Sequence, residues 1–329
     1  MDVYLNAADV PADFGPSAVT IGKFDGLHIG HRAMIEQLRQ EASGRGLVAA
    51  ALTFDRNPLS VVRPEVCPRA LICNDQKLEL LADAGLDATV MLEFSDEFSR
   101  MEPDEFVRSI LVDTLHAGFV LVGPDYRFGR GGAGTVELLQ RMGSEHGFET
   151  RTIDSVEHDG RRVSSTWVRE LLTDGRVAEA AELLQRPPSV RGEVVYGAQR
   201  GRELGFPTAN LSPQLDGFIP ADGVYAGWLA VHGEAGAGRS PDPQRLPAAI
   251  SVGNNPTFTG VPDSQVEAHV LGRGLEEGFD LYGKIVEVEF VDRVRGMERF
   301  DSIDELTAQI GKDVDQVRSL LHLTAAPDA

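Results

Sequence analysis

The sequence contains very few cysteines and no long apolar segment, and both absences narrow the class of protein. Only Cys67 and Cys73 occur among 329 residues. Their spacing fits no zinc motif, and two thiols do not form a disulfide framework, so we expect both to be packing residues. No run approaches the roughly 18 apolar residues that a membrane span requires. The N-terminus lacks the charged and then apolar pattern of a signal peptide, so we expect a cytoplasmic protein with no membrane partner.

Positive charge is also scarce. Against 51 acidic residues there are 31 Lys and Arg residues, which gives a formal net charge of −20. Such a surface repels nucleic acid and anionic lipid, so we expect no nucleic-acid partner. It also repels nucleotides at long range, so any phosphate site needs local hydrogen-bond donors or a metal ion. Solubility, or a salty host cytoplasm, is sufficient to explain the acidity itself.

The first half of the chain alternates between strand-like and helix-like segments. The strand-like runs are 18–22, 47–54, 88–94, 119–123 and 148–153, and the helix-like segments are 31–43, 75–84, 103–116 and 135–146. Alternation at this spacing predicts βαβ units and a parallel sheet. Ligands of such sheets bind at the carboxyl ends of strands, where the polar loops 22–30, 55–60 and 123–134 fall.

The second half has a different pattern. Helix-like segments at 165–173 and 177–185 are followed by Pro187-Pro188, which cannot continue a helix. We therefore predict two domains, 1–186 and 187–329. In the second, the runs 190–196, 223–231, 247–252, 265–271 and 284–292 indicate an antiparallel sheet or small barrel, and the apolar spacing of 302–321 indicates a C-terminal helix. The Gly/Pro/Ser-rich stretch His232–Arg245 predicts a loop.

Two histidines lie at the point where a predicted strand ends and a predicted helix begins. The segment reads Gly22-Lys23-Phe24-Asp25-Gly26-Leu27-His28-Ile29-Gly30-His31. Free N–H groups and the positive end of the helix dipole favour anions at such a point. Glycines allow a phosphate to approach the backbone, and His28 and His31 can donate to phosphate oxygens. One such histidine alone is typical of a surface or capping residue; two in phase with Gly26 and Gly30 predict a phosphate site.

Two further segments of the first half carry polar side chains suited to a nucleotide. Val122–Arg130 follows a strand and contains Asp125, Arg127 and Arg130, whose guanidinium groups supply positive charge in an acidic chain. Arg162–Arg169 places Ser164 and Ser165 at a helix start, where hydroxyls cap the helix or bind phosphate, with Arg169 one turn further. Taken singly, both segments are equally consistent with an ordinary loop and a helix cap.

In the second half, Pro207-Thr208-Ala209-Asn210 stands out. In an extended segment Thr208 and Asn210 share one face, and a hydroxyl with an amide oxygen suits Mg²⁺, which keeps several waters and uses substrate phosphates as ligands. A turn with local hydrogen bonds is the alternative interpretation.

The first-half motifs resemble the FMN adenylyltransferase module of prokaryotic bifunctional FAD synthetases. The resemblance rests on the histidine segment, on Val122–Gly129, on Val163–Arg169 and on Thr53–Pro58. It implies that His28 and His31 bind the ATP phosphates during attack on the α-phosphorus. It also implies nucleotide binding by Gly22, Phe24, Asp25, Gly30, Asp125, Arg127, Ser164, Ser165 and Arg169, and flavin binding by Asn57 and Pro58. Asn57 stands where the family commonly has His, and Lys23 where Asn is common.

The second-half motifs resemble riboflavin kinases. The signature Gly201–Leu211 is followed by Gly223–Ala226, Ser251–Phe258, Val266–Val270 and Asp280–Lys284. The resemblance implies a six-stranded barrel, Mg²⁺–ATP held by Thr208 and Asn210, nucleotide binding by Arg202, and Glu267 as general base. A carboxylate is suited to that role because the attacking group is a neutral alcohol. Arg293–Phe300 resembles the family's basic segment before the last helix, which implies Arg299 at the flavin; a solvated strand end is the alternative interpretation.

Together these motifs predict an α/β Rossmann-like nucleotidyltransferase domain followed by a small antiparallel barrel and a helix. The implied function is ATP-dependent phosphorylation of riboflavin to FMN and adenylylation of FMN to FAD, with Mg²⁺ as the cofactor. Two alternatives remain open. One is a kinase with weak or altered adenylylation, because of Asn57 and Lys23; the other is a non-catalytic flavin-binding regulator. The sequence also leaves a homo-oligomer open.

Overall fold

The computed structural model describes residues 1–197, 201, 204–234, 243–253, 265–272 and 280–323. The chain divides into two compact units, Met1–Ser165 and Thr166–Ala329. The border predicted at residue 187 differs from this division, because the prediction assigns the helical segments 165–173 and 177–185 to the first domain and the structure places them almost entirely in the second unit. Within the described ranges, no helix combines the length and the apolar character needed to cross a membrane.

The first unit is built on a six-stranded parallel sheet. Its strands are β1 (Asp2–Tyr4), β2 (Ser17–Ile21), β3 (Val48–Phe54), β4 (Ala88–Leu92), β5 (Ala117–Val122) and β6 (Glu149–Thr152). Their order is β1-β4-β3-β2-β5-β6, so the strand order reverses at β2. The loops after β2, β3 and β5 therefore leave the same edge of three adjacent strands, at the topological switch point where such sheets bind ligands. The edge strand β1 is too short and too exposed to carry a sequence signal.

Helices cover the sheet. They are α1 (Ile29–Arg45), α2 (Leu59–Val62), α3 (Asn74–Asp83), α4 (Asp96–Ser99), α5 (Pro103–Phe106) and α6 (Val136–His146), and the hairpin β7 (Glu157–His158) and β8 (Arg161–Arg162) follows β6. The sequence pattern predicts one regular helix over 103–116. The structure instead continues α5 as a wider π-helical segment, Val107–Thr114. Its apolar residues still face the core, so apolar spacing does not distinguish the two windings.

The second unit contains a closed barrel. Its elements are α7 (Ser165–Thr173), α8 (Val177–Leu184), β9 (Ser189–Val195), β10 (Ala209–Leu211), β11 (Gly223–Glu234), β12 (Gln244–Gly253), β13 (Gln265–Val270), β14 (Lys284–Arg295) and α9 (Ile303–Leu320). The barrel order is β10-β13-β12-β11-β14-β9, with antiparallel pairs throughout. Tyr225, Ile250 and Phe290 fill its interior, and α9 packs on the outer face through Val314 and Val317.

Two details of the barrel differ from the sequence expectation. The sixth strand, β10, begins inside the Pro-Thr-Ala-Asn motif and ends at Leu211, and the nearby proline and the shortness of the strand hide its pattern. The loop predicted for His232–Arg245 is wrong at both ends, because residues 232–234 belong to β11 and residues 244–245 to β12. Pairing of β11 with β14 and β12 satisfies that backbone, so composition does not decide its structure. The remainder of that prediction, residues 235–242, lies outside the described residues.

Candidate active sites

The loop after β2 has an unusual backbone. The Gly22 N–H donates to the Leu52 carbonyl at 3.1 Å, and the chain then turns through positive φ at Phe24 (47°), Gly26 (83°) and Leu27 (43°). Positive φ is costly for residues with side chains and persists where the surroundings fix it. Phe24 and Leu27 are completely buried, which provides that constraint. This turn delivers His28 to the N-terminal end of α1.

His28 and His31 form a stacked pair at that helix end. Their ring centroids lie 3.8 Å apart with 14° between the planes, and the Phe24 ring stands edge-on to His31 at 5.4 Å. A Cβ on Gly30 would lie 3.2 Å from His28 Nδ1, so glycine gives the ring its space. The Nδ1 atoms of both histidines are buried and meet no hydrogen-bond partner among the residues the structure describes. A buried orphan nitrogen requires an explanation, and an oxygen-rich ligand at this helix end provides one.

The environment keeps both rings uncharged at neutral pH. Burial lowers the pKa of His28 to about 4, against a smaller opposing effect from a backbone hydrogen bond. Burial also lowers the pKa of His31 well below its ordinary value, and the charges of His28 and Lys23 lower it further. Each neutral imidazole has one N–H donor and one acceptor nitrogen. The pair therefore offers two directed donors rather than two positive charges.

The first and third nucleotide motifs meet at Asp25. Its carbonyl oxygen accepts a hydrogen bond from the Ser165 hydroxyl at 2.8 Å, and its Oδ1 accepts one from the Leu71 N–H, also at 2.8 Å. Ser164 is half-buried beside Ser165. Asp25 thus joins the histidine loop to the Ser-Ser segment through its backbone carbonyl and to the chain before α3 through its carboxylate.

The loop after β5 is joined to the β7–β8 hairpin. Asp125 Oδ2 lies 2.6 Å from Arg162 Nη1, and the same hairpin approaches Gly30 through Val156. Asp125 and Arg127 of this loop are predicted nucleotide ligands, whereas Arg162 is not, although it begins the segment Arg162–Arg169. A basic residue beside the Ser-Ser-Thr segment is the signal that indicates it. Arg127 is exposed, and its expected contact with nucleotide stays a prediction.

The residues expected at the flavin of the first unit begin α2. The Asn57 Oδ1 accepts the Leu59 N–H at 3.1 Å, and Pro58 precedes the first helical residue. This contact stabilises the turn after β3 and uses the side-chain oxygen of Asn57. Flavin binding by Asn57 and Pro58 stays a prediction.

Two further nucleotide ligands were expected, Arg169 and Arg202. Arg169 lies half-buried on α7, in the second unit. Arg202 falls outside the described residues.

The second unit has a cavity of about 180 Å³ on the outer face of the barrel, beside β10, β13 and α9. It brings together the three residues expected to act there. Asn210 and Glu267 are register partners on adjacent strands, and the Thr208 hydroxyl donates to Glu267 Oε2 at 3.4 Å. The Asn210 Nδ2 donates to Thr208 Oγ1 at 3.3 Å. Strand alternation explains the grouping, since Ala209 and Ala268 point into the barrel interior.

His269 fixes the segment that leads into β10. Its Nδ1 lies 2.9 Å from the Pro207 carbonyl oxygen, and its ring stands edge-on to Phe206 at 5.4 Å. Burial lowers the pKa of His269, with a smaller contribution from the charge of Arg318, against the Pro207 hydrogen bond. These contacts indicate that His269 has a structural role rather than a catalytic one.

An ion pair closes the helix side of the cavity. Arg295 at the end of β14 makes a bidentate contact to Asp313 of α9, with distances of 2.7 to 3.1 Å, and Gln309 Nε2 donates to the same carboxylate at 2.9 Å. Both charged side chains line the cavity. Arg299, expected at the flavin, is exposed and does not line it, whereas Met297, Glu298 and Phe300 do.

The cavity has the donor set of a magnesium–nucleotide site. In the described part of the chain, no group of three or more His, Cys, Asp or Glu side chains could hold a metal ion. Thr208, Asn210 and Glu267 instead provide a hydroxyl, an amide and a carboxylate oxygen within one small area. Mg²⁺ takes hard oxygen ligands and is commonly held by few protein groups plus waters and substrate phosphates. The residues present therefore fit this ion.

The fold and the two sites define a class of protein: a nucleotidyltransferase-like α/β unit followed by a barrel with a phosphotransferase-like site. Comparison with known families agrees. Residues 10–167 match the FAD synthetase family and residues 184–321 match the riboflavin kinase family.

Relatives match both units at once. The chain is 37% identical over 306 residues to the bifunctional riboflavin kinase/FMN adenylyltransferase of Escherichia coli (strain K12), covering 93% of each chain. It is 34% identical to the same-named protein of Listeria monocytogenes, covering 92% of this chain and 91% of that one. A solved structure titled a macrolide-efflux protein from Streptococcus pneumoniae superposes with a TM-score of 0.80 at 30% identity, covering 96% and 98%. The chain belongs to the bifunctional riboflavin kinase/FMN adenylyltransferase family.

Proposed function

We propose that the two activities of the family are divided between the two units, with the sites as described. The barrel phosphorylates riboflavin to FMN, and the α/β unit adenylylates FMN to FAD. The observation that carries this proposal is the presence of two complete and chemically different donor sets. One is a stacked neutral histidine pair at a helix N-terminus, and the other is a hydroxyl–amide–carboxylate set beside a cavity.

In the α/β unit the chemistry requires no protein nucleophile. An oxygen of the FMN phosphate attacks the α-phosphorus of ATP, the bond from that phosphorus to the bridging oxygen breaks, and pyrophosphate leaves. The protein aligns the two phosphates and stabilises the charge that develops on them. The N–H groups of His28 and His31 and the free N–H groups of α1 are suited to that task.

In the barrel the attacking group is the terminal hydroxyl of the riboflavin side chain. Its oxygen attacks the γ-phosphorus of ATP, ADP leaves, and the hydroxyl proton must be accepted by a base. Glu267 is the carboxylate beside the nucleotide-binding pair and takes that proton. Thr208 and Asn210 hold the Mg²⁺ that, when bound, neutralises charge on the ATP phosphates.

The partners are small molecules: riboflavin, FMN and ATP. The net charge of −20 supports the expectation that nucleic acid and anionic membranes are not partners, and the expected place of action is the cytoplasm. A regulator without turnover is not favoured, because mere binding of a flavin requires neither a base nor a metal-binding pair.

Separate inactivation of the two sites tests the assignment. Riboflavin and Mg²⁺–ATP are supplied to the wild type, to His28→Ala and to Glu267→Gln, and FMN and FAD are separated by chromatography. His28→Ala is expected to form FMN normally and to lose FAD formation. Glu267→Gln is expected to lose FMN formation by about 10² to 10⁴-fold, the usual contribution of a general base, yet to convert added FMN to FAD.

Each other outcome has a defined meaning. FMN as the only product of the wild type supports the alternative with weak adenylylation, and neither product supports the regulator. Normal FAD formation by His28→Ala removes that side chain from the mechanism.

A further inference from the structure

Two stacked tyrosines, Tyr196 and Tyr282, lie beyond the end of β9, and the sites described above use neither of them. Their ring centroids are 3.9 Å apart, with 17° between the ring planes. Tyr196 is 73% exposed although Tyr282 covers one face of its ring, so the opposite face is exposed. We call these two residues the tyrosine pair. Because aromatic rings favour parallel, offset stacking, the exposed face is a surface on which another flat ring can stack.

The rings are not needed to hold their two chain segments together. Tyr196 directly follows β9, and Tyr282 lies in the turn before β14. The strands β9 and β14 pair directly with each other. In addition, the Gly283 N–H donates to the Val194 carbonyl oxygen at 2.9 Å. Since backbone hydrogen bonds already join the segments, the stacked rings can serve a ligand.

The tyrosine pair lies beside the amide that is expected to hold Mg²⁺–ATP. Asn210 pairs with Val195 in the barrel register, and Tyr196 is the next residue of that strand end. The backbone of Gly197 lies so close to Asn210 that a Cβ on this glycine would overlap the side-chain amide. On its other side, Asn210 pairs with Glu267. Asn210 therefore lies between the expected general base and the strand end that carries the tyrosine pair.

This arrangement follows the order of the groups that react. The riboflavin hydroxyl and the γ-phosphate must meet at Glu267, and the other phosphates are expected beside Thr208 and Asn210. The cavity at Glu267 has apolar lining residues, including Met297 and Phe300, which suit the flavin ring, and neither tyrosine lines it. The remainder of the nucleotide then extends from Asn210 towards β9, a neighbouring strand about 5 Å away.

We propose that the tyrosine pair is the stacking platform for the base of the nucleotide in the phosphotransferase site. The purine ring stacks on the exposed face of Tyr196, and Tyr282 supports the opposite face. Stacking of one base on an aromatic side chain raises affinity by about five- to hundredfold. A neutral ring provides this attraction without positive charge, which is scarce in a chain of net charge −20. This inference rests on the kinase function proposed above.

Two inhibitors of FMN formation separate the base from the phosphates. ADP carries the base and tripolyphosphate does not, so their inhibition constants report on the two regions separately. Tyr196→Ala removes the ring and Tyr196→Phe keeps it. The matched control is Ile303→Ala, which truncates another exposed apolar side chain of the second unit. FMN and FAD formed from riboflavin are summed as the kinase product, and FAD formation from added FMN reports on the first unit.

Tyr196→Ala is expected to raise the KM for ATP and the inhibition constant of ADP by about tenfold, with a smaller change in kcat. The KM for riboflavin and the inhibition constant of tripolyphosphate stay the same, because neither molecule carries the base. Tyr196→Phe retains most of the affinity for ATP, because the ring rather than the hydroxyl stacks. Ile303→Ala resembles the wild type, and every variant forms FAD from added FMN as the wild type does.

Two results overturn the proposal. The first is a wild-type KM for ATP and unchanged ADP inhibition in Tyr196→Ala. The second is an equal weakening of ATP and riboflavin binding, or of ADP and tripolyphosphate inhibition, which would make the tyrosine pair a structural support of Asn210. If Tyr196→Ala does not fold, Tyr196→Leu, which keeps an apolar side chain without a flat ring, carries the same expectations. Failure of the proposed function is distinguishable, because the wild type would then form no FMN.

Discussion

Mild acid is expected to destabilise the α/β unit through the histidine pair. His28 has an ordinary pKa of 6.5 and a pKa of about 4 in the fold, because burial disfavours its charged form. Since the folded value is the lower one, the unfolded chain takes up the proton first as the pH falls. Stability is therefore complete above about pH 6.5 and is lost as the pH falls from there towards 4.

The magnitude follows from these two values. Between pH 7 and pH 5 the unfolded chain gains about 0.7 of a proton at position 28, whereas the folded chain gains only about 0.1. The free energy of unfolding then falls by about 2 kcal/mol from His28 alone. His31 acts in the same direction, because burial and the neighbouring charges of His28 and Lys23 also lower its pKa.

Urea unfolding followed by circular dichroism, at half-unit steps from pH 7 to pH 5, measures this effect. The matched variant is His28→Gln, which cannot titrate. Between pH 7 and pH 5 its free energy of unfolding should fall by about 2 kcal/mol less than that of the wild type. NMR titration of the imidazole signals provides the direct check on each pKa. Parallel stability curves for the two proteins, or a His28 that titrates near 6.5 in the folded state, would refute the reasoning.

Two substitutions test other parts of the structure. Asp313→Ala leaves the Arg295 guanidinium buried without its carboxylate, so the free energy of unfolding of the barrel unit should fall by about 3–5 kcal/mol. Tryptophan fluorescence in urea reports it, since Trp228 packs beside α9, and an unchanged midpoint would contradict this account. Gly30→Ala places a methyl group 3.2 Å from His28 Nδ1 and should lower FAD formation by about 10 to 100-fold while FMN formation is unaffected. Normal FAD formation would show that the ring position tolerates displacement.

The local pattern of the chain was sufficient to predict most of the architecture. Alternating apolar segments predicted the parallel sheet, and Pro187-Pro188 marked the change from helices to strands, since α8 ends at Leu184 and β9 begins at Ser189. The prediction of a barrel with a C-terminal helix is confirmed, as is membership of the family. Short elements escaped detection: β1 and β10 have three residues each, too few for a period to be visible.

The sequence by itself determined which residues could do the chemistry, because His28, His31, Thr208, Asn210 and Glu267 stand in short segments whose residue types and spacing are specific. Local spacing reports only near neighbours along the chain.

Only the tertiary structure decided which of these residues are in contact and which protonation state the histidines have. Glu267 reaches Thr208 and Asn210 because β10 pairs with β13, and no local period encodes this pairing between the distant residues Asn210 and Glu267. The histidines are neutral because surrounding elements bury them. Burial and long-range pairing are properties of the folded chain, and they determine pKa values and distances that composition and motif leave open.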